Sequence, residues 1–574
     1  MGSSPRSYKP TLMGVKHGVS SGHYHAATAG FRILEEGGNA IDAGVASGIA
    51  LNVVLPQWTS FGGVAPIMIH SAAKNETITI SGLGRWPRAA SVEFFERNHD
   101  GELPEGILRT VTPAAADAWL TAIELYGTMS FEQVVRPALE LAREGFPVTP
   151  LLSKYIGKGI PWSSTREIFM PNGSVPQIGE VLVQSDLANT FARMIDVEQA
   201  ASSKGREGAI RATRDFFYKG DLAEEMVKFC NDQGGLLTLE DMATFRVKLE
   251  PVLWGNYKGI DIATCGVWCQ GPLLIEFLNI LEKIDLQSMG YNSADYIHTL
   301  LEVFKLGFSD RHTYYGDPEF VNVPIEGLIS KLFAKSRGME LDSQQASSEM
   351  PLPGNPWGFQ YGSSLNHAVD PPIATLGGLG EDTSYTCVVD EWGNVFSATP
   401  SDTFDSTPMV PGLGFILSSR GNQSWLDASH PSSVAPGKRP RLTPNPALAF
   451  KDGRPWMPFG TPGGDVQCQA MTEMFINIVD FGMDPQQAID APRFSTSSYP
   501  GSFWPHAYNP GLVNIEGRIG DAVVSELRRR GHKIELWDDW DIRAGNLCAI
   551  EINSGLGVLR AGADNRREGY AIVR

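Results

Sequence analysis

The sequence predicts an α+β fold built as one large unit. Three observations predict it: a first half of helical patterns punctuated by glycine, a change to paired β-hairpins at Thr383, and no dividing segment. None of the 574 residues falls in a Ser/Gly-rich linker, a charge run, a low-complexity tract or a repeat. A length prior of roughly 150 residues per domain would give three or four domains. Without a linker, one intimately folded unit is the better expectation.

The elements follow in order. Behind Gly37-Gly38, Asn39 can cap a helix over 40–55, whose Ala, Val and Ile residues lie on all sides and predict burial. Pro56 stops it, and 61–70 reads as a glycine turn followed by a strand. A helix over 113–126 ends at Gly127. The next begins at Ser130 with Gln133 three residues on, a capping box, and runs through Leu141 to Gly145. Helical periodicity returns over 272–284 and 293–315. Residues 338–380 are rich in Gly, Pro and Ser and are expected to form a long exposed loop. Beyond Thr383, 385–389 and 395–399 flank Asp390-Glu391-Trp392-Gly393-Asn394 as a hairpin, and 447–450 and 456–459 flank a second. Gly460 to Asp465 then lead into a helix over 467–481, and Asp484-Pro485 caps another. Strands 547–552 and 557–560 close the chain, so helices come first and strand pairs later.

Composition narrows the function classes. A net charge of −18, from 65 acidic and 47 basic residues, opposes binding to a nucleic-acid backbone. The N-terminus holds no apolar run of seven residues, and no stretch of about 20 apolar residues occurs. A cytoplasmic protein without signal peptide or membrane span is expected. The six cysteines are scattered, and the close pair Cys265 and Cys269 has no second pair or histidine cluster to complete a zinc site. Buried free thiols are expected, with neither metal nor cofactor. His23 and His25 read as solvated side chains.

Three places could do chemistry. A threonine hydroxyl is a poor nucleophile until a base takes its proton. Were the chain cut between Asp382 and Thr383, the new α-amine (pKa roughly 7.7–8.0) would sit beside the hydroxyl and could serve as that base. Taken alone, a threonine opening a strand is more often just a strand former. Adjacent Gly463-Gly464, between a strand and a helix, can point free N–H groups at an oxyanion, or can simply make a tight turn. Arg85, in a loop framed by Gly82, Gly84 and Pro87, can hold a carboxylate with two parallel hydrogen bonds. No G-x-S-x-G elbow, H-E-x-x-H pair, P-loop lysine or G-x-G-x-x-G opening a βαβ unit occurs.

Short stretches in order along nearly the whole chain carry a resemblance. They run from Gly37-Gly38-Asn39-Ala40-Ile41-Asp42-Ala43 through Pro137-Ala138, Lys438-Arg439-Pro440, Thr461-Pro462-Gly463-Gly464 and Asp490-Ala491-Pro492-Arg493 to Gly562-Ala563-Asp564. On these the sequence resembles the γ-glutamyltranspeptidase family of N-terminal nucleophile hydrolases. The resemblance implies a four-layer αββα sandwich and a precursor that cuts itself before a threonine, which matches Thr383. It implies a large subunit, 1–382, and a small catalytic subunit, 383–574, that remain one αββα unit. Gly463 and Gly464 match the family's oxyanion-binding pair, Ser401 its second hydroxyl, and Arg85 its carboxylate-binding arginine.

The departures cluster where an amino-acid head group would bind. Ser384 and Tyr385 follow the threonine in place of threonine and histidine. Asn422-Gln423 stand where an acidic residue would hold an ammonium, and Leu442-Thr443 replace paired serines. Gln423 and Thr443 are left as candidate substrate contacts. The run from Gln423 to Lys438 is too short for a lid loop. These features look more like the transpeptidase-like amidohydrolase branch, similar to oxamate amidohydrolase. They imply hydrolysis of an amide in a small carboxylate-bearing or γ-glutamyl-like substrate through an acyl-enzyme. A true γ-glutamyltransferase or glutathione hydrolase is one alternative, and an uncleaved, non-catalytic binding protein is another. The implied partners are a small-molecule amide and the two fragments of the chain, with a dimer of cleaved protomers suiting the branch and neither nucleic acid nor membrane.

Overall fold

A computed structural model describes residues 7–360 and 383–574. Asp382 and the expected loop beyond residue 360 lie outside the described residues.

Fourteen strands make two antiparallel seven-stranded sheets. In chain order these are β1 (Leu12–Gly14), β2 (Gly18–Ser21), β3 (Ile67–Ser71), β4 (Glu76–Ile80), β5 (Leu249–Pro251), β6 (Leu253–Tyr257), β7 (Ile260–Thr264), β8 (Thr386–Val389), β9 (Val395–Ala398), β10 (Ala447–Lys451), β11 (Arg454–Gly460), β12 (Cys548–Asn553), β13 (Val558–Ala563) and β14 (Tyr570–Val573). One sheet runs β1-β13-β12-β11-β10-β7-β6 and the other β14-β2-β8-β9-β3-β4-β5. Tyr385, Cys387, Val389, Leu448, Phe450, Cys548 and Ile550 fill the space between them. Each sheet packs its outer face on helices, which gives the four αββα layers that the resemblance implied.

Helices α1 (Tyr24–Glu35), α2 (Ala40–Val54), α3 (Ala115–Tyr126) and α4 (Phe131–Glu144) cover the β2/β8/β9/β3 sheet. Helices α5 (Gly271–Leu281), α6 (Ala294–Tyr314) and α7 (Val466–Val479) cover the other. All of α2 is buried, as its all-round apolar pattern requires. Asn39 caps it, its side-chain oxygen accepting from the N–H groups of Ile41 (2.9 Å) and Asp42 (3.0 Å). Gly44 lets the helix close on Phe396, whose ring would lie 2.1 Å from an added Cβ. The Ser130–Gln133 box caps α4 as expected.

The order of helices first and strands later does not carry over into layers. Seven of the fourteen strands precede residue 360, and β8 and β9 insert between β2 and β3. The expected strand within 61–70 is β3, whereas β1 and β5 are only three residues long and β4 and β6 show no regular alternation of burial. A group of helices between 150 and 244 completes the first helical layer. All six cysteines are buried free thiols. Among the described residues no helix is long and apolar enough to cross a membrane.

Candidate functional site

Thr383 stands immediately ahead of β8. The β8–β9 register, with Thr386 opposite Ala398, continues to an isolated bridge between Thr383 and Ser401. Both residues are fully buried, and Thr383 Oγ1 lies 2.8 Å from Ser401 Oγ. Backbone bonds pin the pair: the Ser384 N–H donates to the Pro400 carbonyl (3.0 Å) and the Ser401 N–H to that of Val64 (2.9 Å).

Asp402, next along, adopts φ 102°, a left-handed conformation that costs a non-glycine residue about 1–3 kcal/mol. Its carboxylate holds it there. Oδ1 accepts from the Ser419 N–H (2.9 Å) and hydroxyl (2.7 Å), and Oδ2 accepts from the Ser418 hydroxyl (2.8 Å). Beside it, Arg420 places Nε 3.4 Å from Asp402 Oδ1 and donates through Nη2 to Ser401 Oγ at 2.5 Å.

Gly463 and Gly464 lie between β11 and α7 with φ 122° and 55°, conformations that favour glycine. Neither N–H has a hydrogen-bond partner among the described residues. A chain of contacts ties this loop to Thr383. The Asn546 N–H donates to Thr461 Oγ1 (2.8 Å), and its side-chain amide donates to the Gly22 carbonyl (3.4 Å). The Gly22 N–H donates to the Tyr385 carbonyl (2.9 Å), and the Tyr385 ring packs on Gly460. Gly22 brings the chain close to this point: a Cβ there would sit 2.2 Å from Ser384 Oγ and would require that hydroxyl to rotate away.

Gln423 and Thr443 also meet: Gln423 Nε2 donates to Thr443 Oγ1 (2.9 Å), both side chains buried. Gln270 joins this pair to the glycine loop. Its Nε2 donates to the carbonyls of Thr443 and Gly464, each at 2.9 Å, and its Oε1 accepts from Arg311 Nη1 at 3.0 Å. Arg311 also binds Asp465, which accepts from the Ser502 hydroxyl (2.6 Å) as well. Burial would raise the Asp465 carboxyl, but Arg311, Ser502 and Arg441 outweigh it and hold the group below the usual carboxylate range. Gln270→Leu, which leaves the Gly464 carbonyl only the longer bond from the Gln467 N–H (3.3 Å), is expected to lower kcat about tenfold with KM within about threefold. Steady-state kinetics on folded, processed protein checks this.

Arg85 lies elsewhere. Its Nη1 donates to Glu319 (3.1 Å) and to the Gly437 carbonyl (3.3 Å), and it lines a cavity of about 620 Å³ with Trp86, Lys248 and Phe320. Burial, reinforced by Arg439, lowers its pKa against the pull of Asp317 and Glu250. A different cavity, of about 770 Å³, lies beside Gly463, with Gln57, Trp58, Thr403, Trp540 and Arg567 on its walls. Thr403, two residues beyond Ser401 in the chain, lines it together with Gly463, while Thr383 and Ser401 themselves are buried behind its wall residues. The cavity's size is in the range of small-molecule sites.

Two other chemistries are closed off by their surroundings. Burial pushes the Cys387 thiol well above its ordinary range and that of Cys548 to about 12, so neither offers a thiolate. Among the described residues, His298, Glu302 and His532 are the one group close enough to share a metal ion. Each is already engaged: His298 bonds His532 (2.9 Å) and the Asp342 carbonyl (2.7 Å), while Glu302 accepts from Lys305 (2.7 Å) and the Ser347 N–H (3.1 Å). A buried ammonium at that distance opposes a second cation. The expectation for His23 is corrected. It is fully buried as the cap of α1, its Nδ1 accepting from the His25 N–H (3.1 Å). Burial, helped by His25, lowers its pKa to about 3.

Sequence reasoning did not single out Arg420, Asp402, Gln270, Asn546, Gly22 or Gln57. Each reaches the site from a separate segment, and none belongs to a motif with a spacing of its own.

Comparison with known proteins shows the family. The Gamma-glutamyltranspeptidase family profile matches residues 26–574. The chain is similar to the glutathione hydrolase proenzyme of Bacillus subtilis, 30% identical over 98% of this chain and 92% of that protein. It is equally similar, at 30%, to the acylase ACY 1 proenzyme of a Pseudomonas strain, over 98% of this chain and 95% of that one. Among solved structures, the cephalosporin acylase of Bacillus halodurans superposes with a TM-score of 0.85 at 28% identity, covering 99% of this chain and 98% of that one.

Proposed function

We propose, from the premise that this chain belongs to the γ-glutamyltranspeptidase family of amide-bond hydrolases, that it cuts itself between Asp382 and Thr383 and then hydrolyses a small amide through Thr383. One observation supports this reading most. A buried Thr383 hydroxyl lies 2.8 Å from Ser401 at the end of the sandwich to which the N–H groups of Gly463 and Gly464, without a hydrogen-bond partner among the described residues, are tied.

The chemistry is as follows. Thr383 Oγ adds to the Asp382 carbonyl carbon, and its proton passes to the departing nitrogen as the C–N bond breaks. Water hydrolyses the resulting ester to an Asp382 carboxyl and restores the Thr383 hydroxyl beside a free α-amine. That amine then takes the Oγ proton while Oγ adds to the substrate amide carbon. The N–H groups of Gly463 and Gly464 receive the oxyanion. The proton goes to the leaving amine, and the acyl ester remains on Thr383. Water attacks it, losing a proton through the α-amine, and releases the acid with Oγ–H restored.

The cavity beside Gly463 takes the acyl group in this reading. Two guanidiniums lie on its wall; Arg543 is paired with Asp541 (2.8 Å), and this reading assigns a carboxylate on that group to Arg567, whose other contacts include the Ile542 carbonyl. Arg85 faces the other cavity and would act on a substrate only from there. The wall beside Gly463 also carries Asp405, Glu535, Asp538 and Asp541, so an α-ammonium is disfavoured in this reading where it is held at the turn that carries Asn422 and Gln423. Asn422 and Gln423 are neutral, and Gln423 is engaged with Thr443. An ammonium buried without a carboxylate partner loses several kcal/mol of binding.

Glutaryl-p-nitroanilide is therefore expected to be hydrolysed with kcat/KM about tenfold or more above that of γ-glutamyl-p-nitroanilide, the same chain with an α-ammonium. A preference for the γ-glutamyl compound would instead favour glutathione hydrolase or γ-glutamyl transfer, the activity that the Bacillus subtilis relative's name carries.

A further inference from the structure

The two hydroxyls at the site are not equivalent, because a cation reaches one of them. Arg420 Nη2 lies 2.5 Å from Ser401 Oγ. A guanidinium carries N–H donors and no acceptor, so in this contact Arg420 donates and Ser401 accepts. A hydroxyl that accepts from a cation is polarised. Its own proton becomes a better donor and its remaining lone pair a poorer acceptor. The 2.8 Å contact between Ser401 Oγ and Thr383 Oγ1 allows either sense of hydrogen bond.

We propose that Arg420 is a positioning residue that sets this sense, so that Ser401 donates to Thr383 Oγ1. The inference rests on the reading of Thr383 as the nucleophile. With Ser401 donating, the Thr383 proton is turned away from Ser401 and stays available to the base. As that proton leaves, the charge growing on Oγ1 faces a hydrogen bond backed by the guanidinium. In the opposite sense Thr383 would aim its proton at Ser401, away from the base.

The fold holds Arg420 for this task. It opens the short 3-10 turn Arg420–Gln423, with no part of its side chain exposed. Asp402 lies on one side at 3.4 Å, its carboxylate fixed by Ser418 and Ser419, and the Phe503 ring lies 5.4 Å from the guanidinium carbon. The same turn carries Gln423 to Thr443, so the nucleophile's partner and the candidate head-group contact share one support.

A double-mutant cycle between R420M and S401A tests the proposal, read on self-cleavage rate and on amide hydrolysis by processed protein. R420M alone is expected to lower both rates about 10- to 100-fold with KM within about threefold. In the S401A background the same change is expected to add less than about threefold, since the relay is already gone. Millimolar ethylguanidinium is expected to restore several-fold activity to R420M and none to S401A. Equal losses from R420M in both backgrounds, or no response to ethylguanidinium, would overturn the proposal. If R420M does not fold, R420K and R420Q decide. An ammonium donates without accepting and is expected to keep at least about a third of kcat, while an amide, which can accept, loses tenfold or more. Equal losses in these two would also overturn it. Activity surviving in Thr383→Ala would sink the nucleophile reading itself, whatever the cycle shows.

Discussion

Thr383→Ala is expected to leave the chain as a single 62.5 kDa species on a denaturing gel and to lower amide hydrolysis by about 10⁴-fold or more. Both losses come from one atom. Oγ1 is the group that attacks the backbone in processing and the substrate amide in turnover, and the α-amine that serves it as base exists only after processing. Thr383→Ser keeps the oxygen and removes one buried methyl group. It is expected to retain both activities at reduced rates. Time courses of cleavage on gels, paired with hydrolysis assays on the same samples, check the two variants together. The thiols nearby do not substitute for the missing hydroxyl, because burial keeps Cys387 and Cys548 protonated.

The second large effect belongs to the glycine loop. Gly463→Ala and Gly464→Ala are each expected to lower kcat by about 10²–10³-fold while KM changes little. At φ 122° and 55° an L side chain forces the backbone to turn, and the N–H groups turn with it. Ala held in such a conformation costs about 1–3 kcal/mol, so the folded protein is expected to survive the change. The loss falls on kcat because the oxyanion exists in the transition state and not in the bound substrate. Steady-state kinetics with a p-nitroanilide, on protein whose processing has been verified, separates kcat from KM. A rise in KM at unchanged kcat would mean that the loop binds substrate without stabilising the oxyanion.

How much of this was legible in sequence depends on how local each feature is. Ser401 was implied by the family resemblance, and the hairpin's own register agrees with it. With Asp390 to Asn394 as the turn, position 383 can only face position 401. The glycine pair showed as a break between a strand and a helix. Capping residues such as Asn39 and Ser130 act within one turn and were equally readable. Of the first-half strands β3 was readable, while three-residue strands such as β1 and β5 are too short to show an alternation. Gln270 and Asn546 were hidden for another reason. Gln270 bonds the carbonyl of Gly464 from 194 positions away, and Asn546 bonds that of Gly22 from 524. Such contacts exist only after the two sheets have closed on each other. Arg85 was read from its glycine- and proline-framed loop, and it lines a cavity other than the one beside Gly463.

The account stands or falls on where the chain is cut. Purified protein, incubated to completion and resolved on a denaturing gel, is expected to give fragments of 382 and 192 residues from the 574-residue chain. N-terminal sequencing of the smaller fragment is expected to read Thr383-Ser384-Tyr385-Thr386-Cys387. An intact chain that hydrolyses amides at full rate, or a small fragment beginning at any other residue, would contradict it.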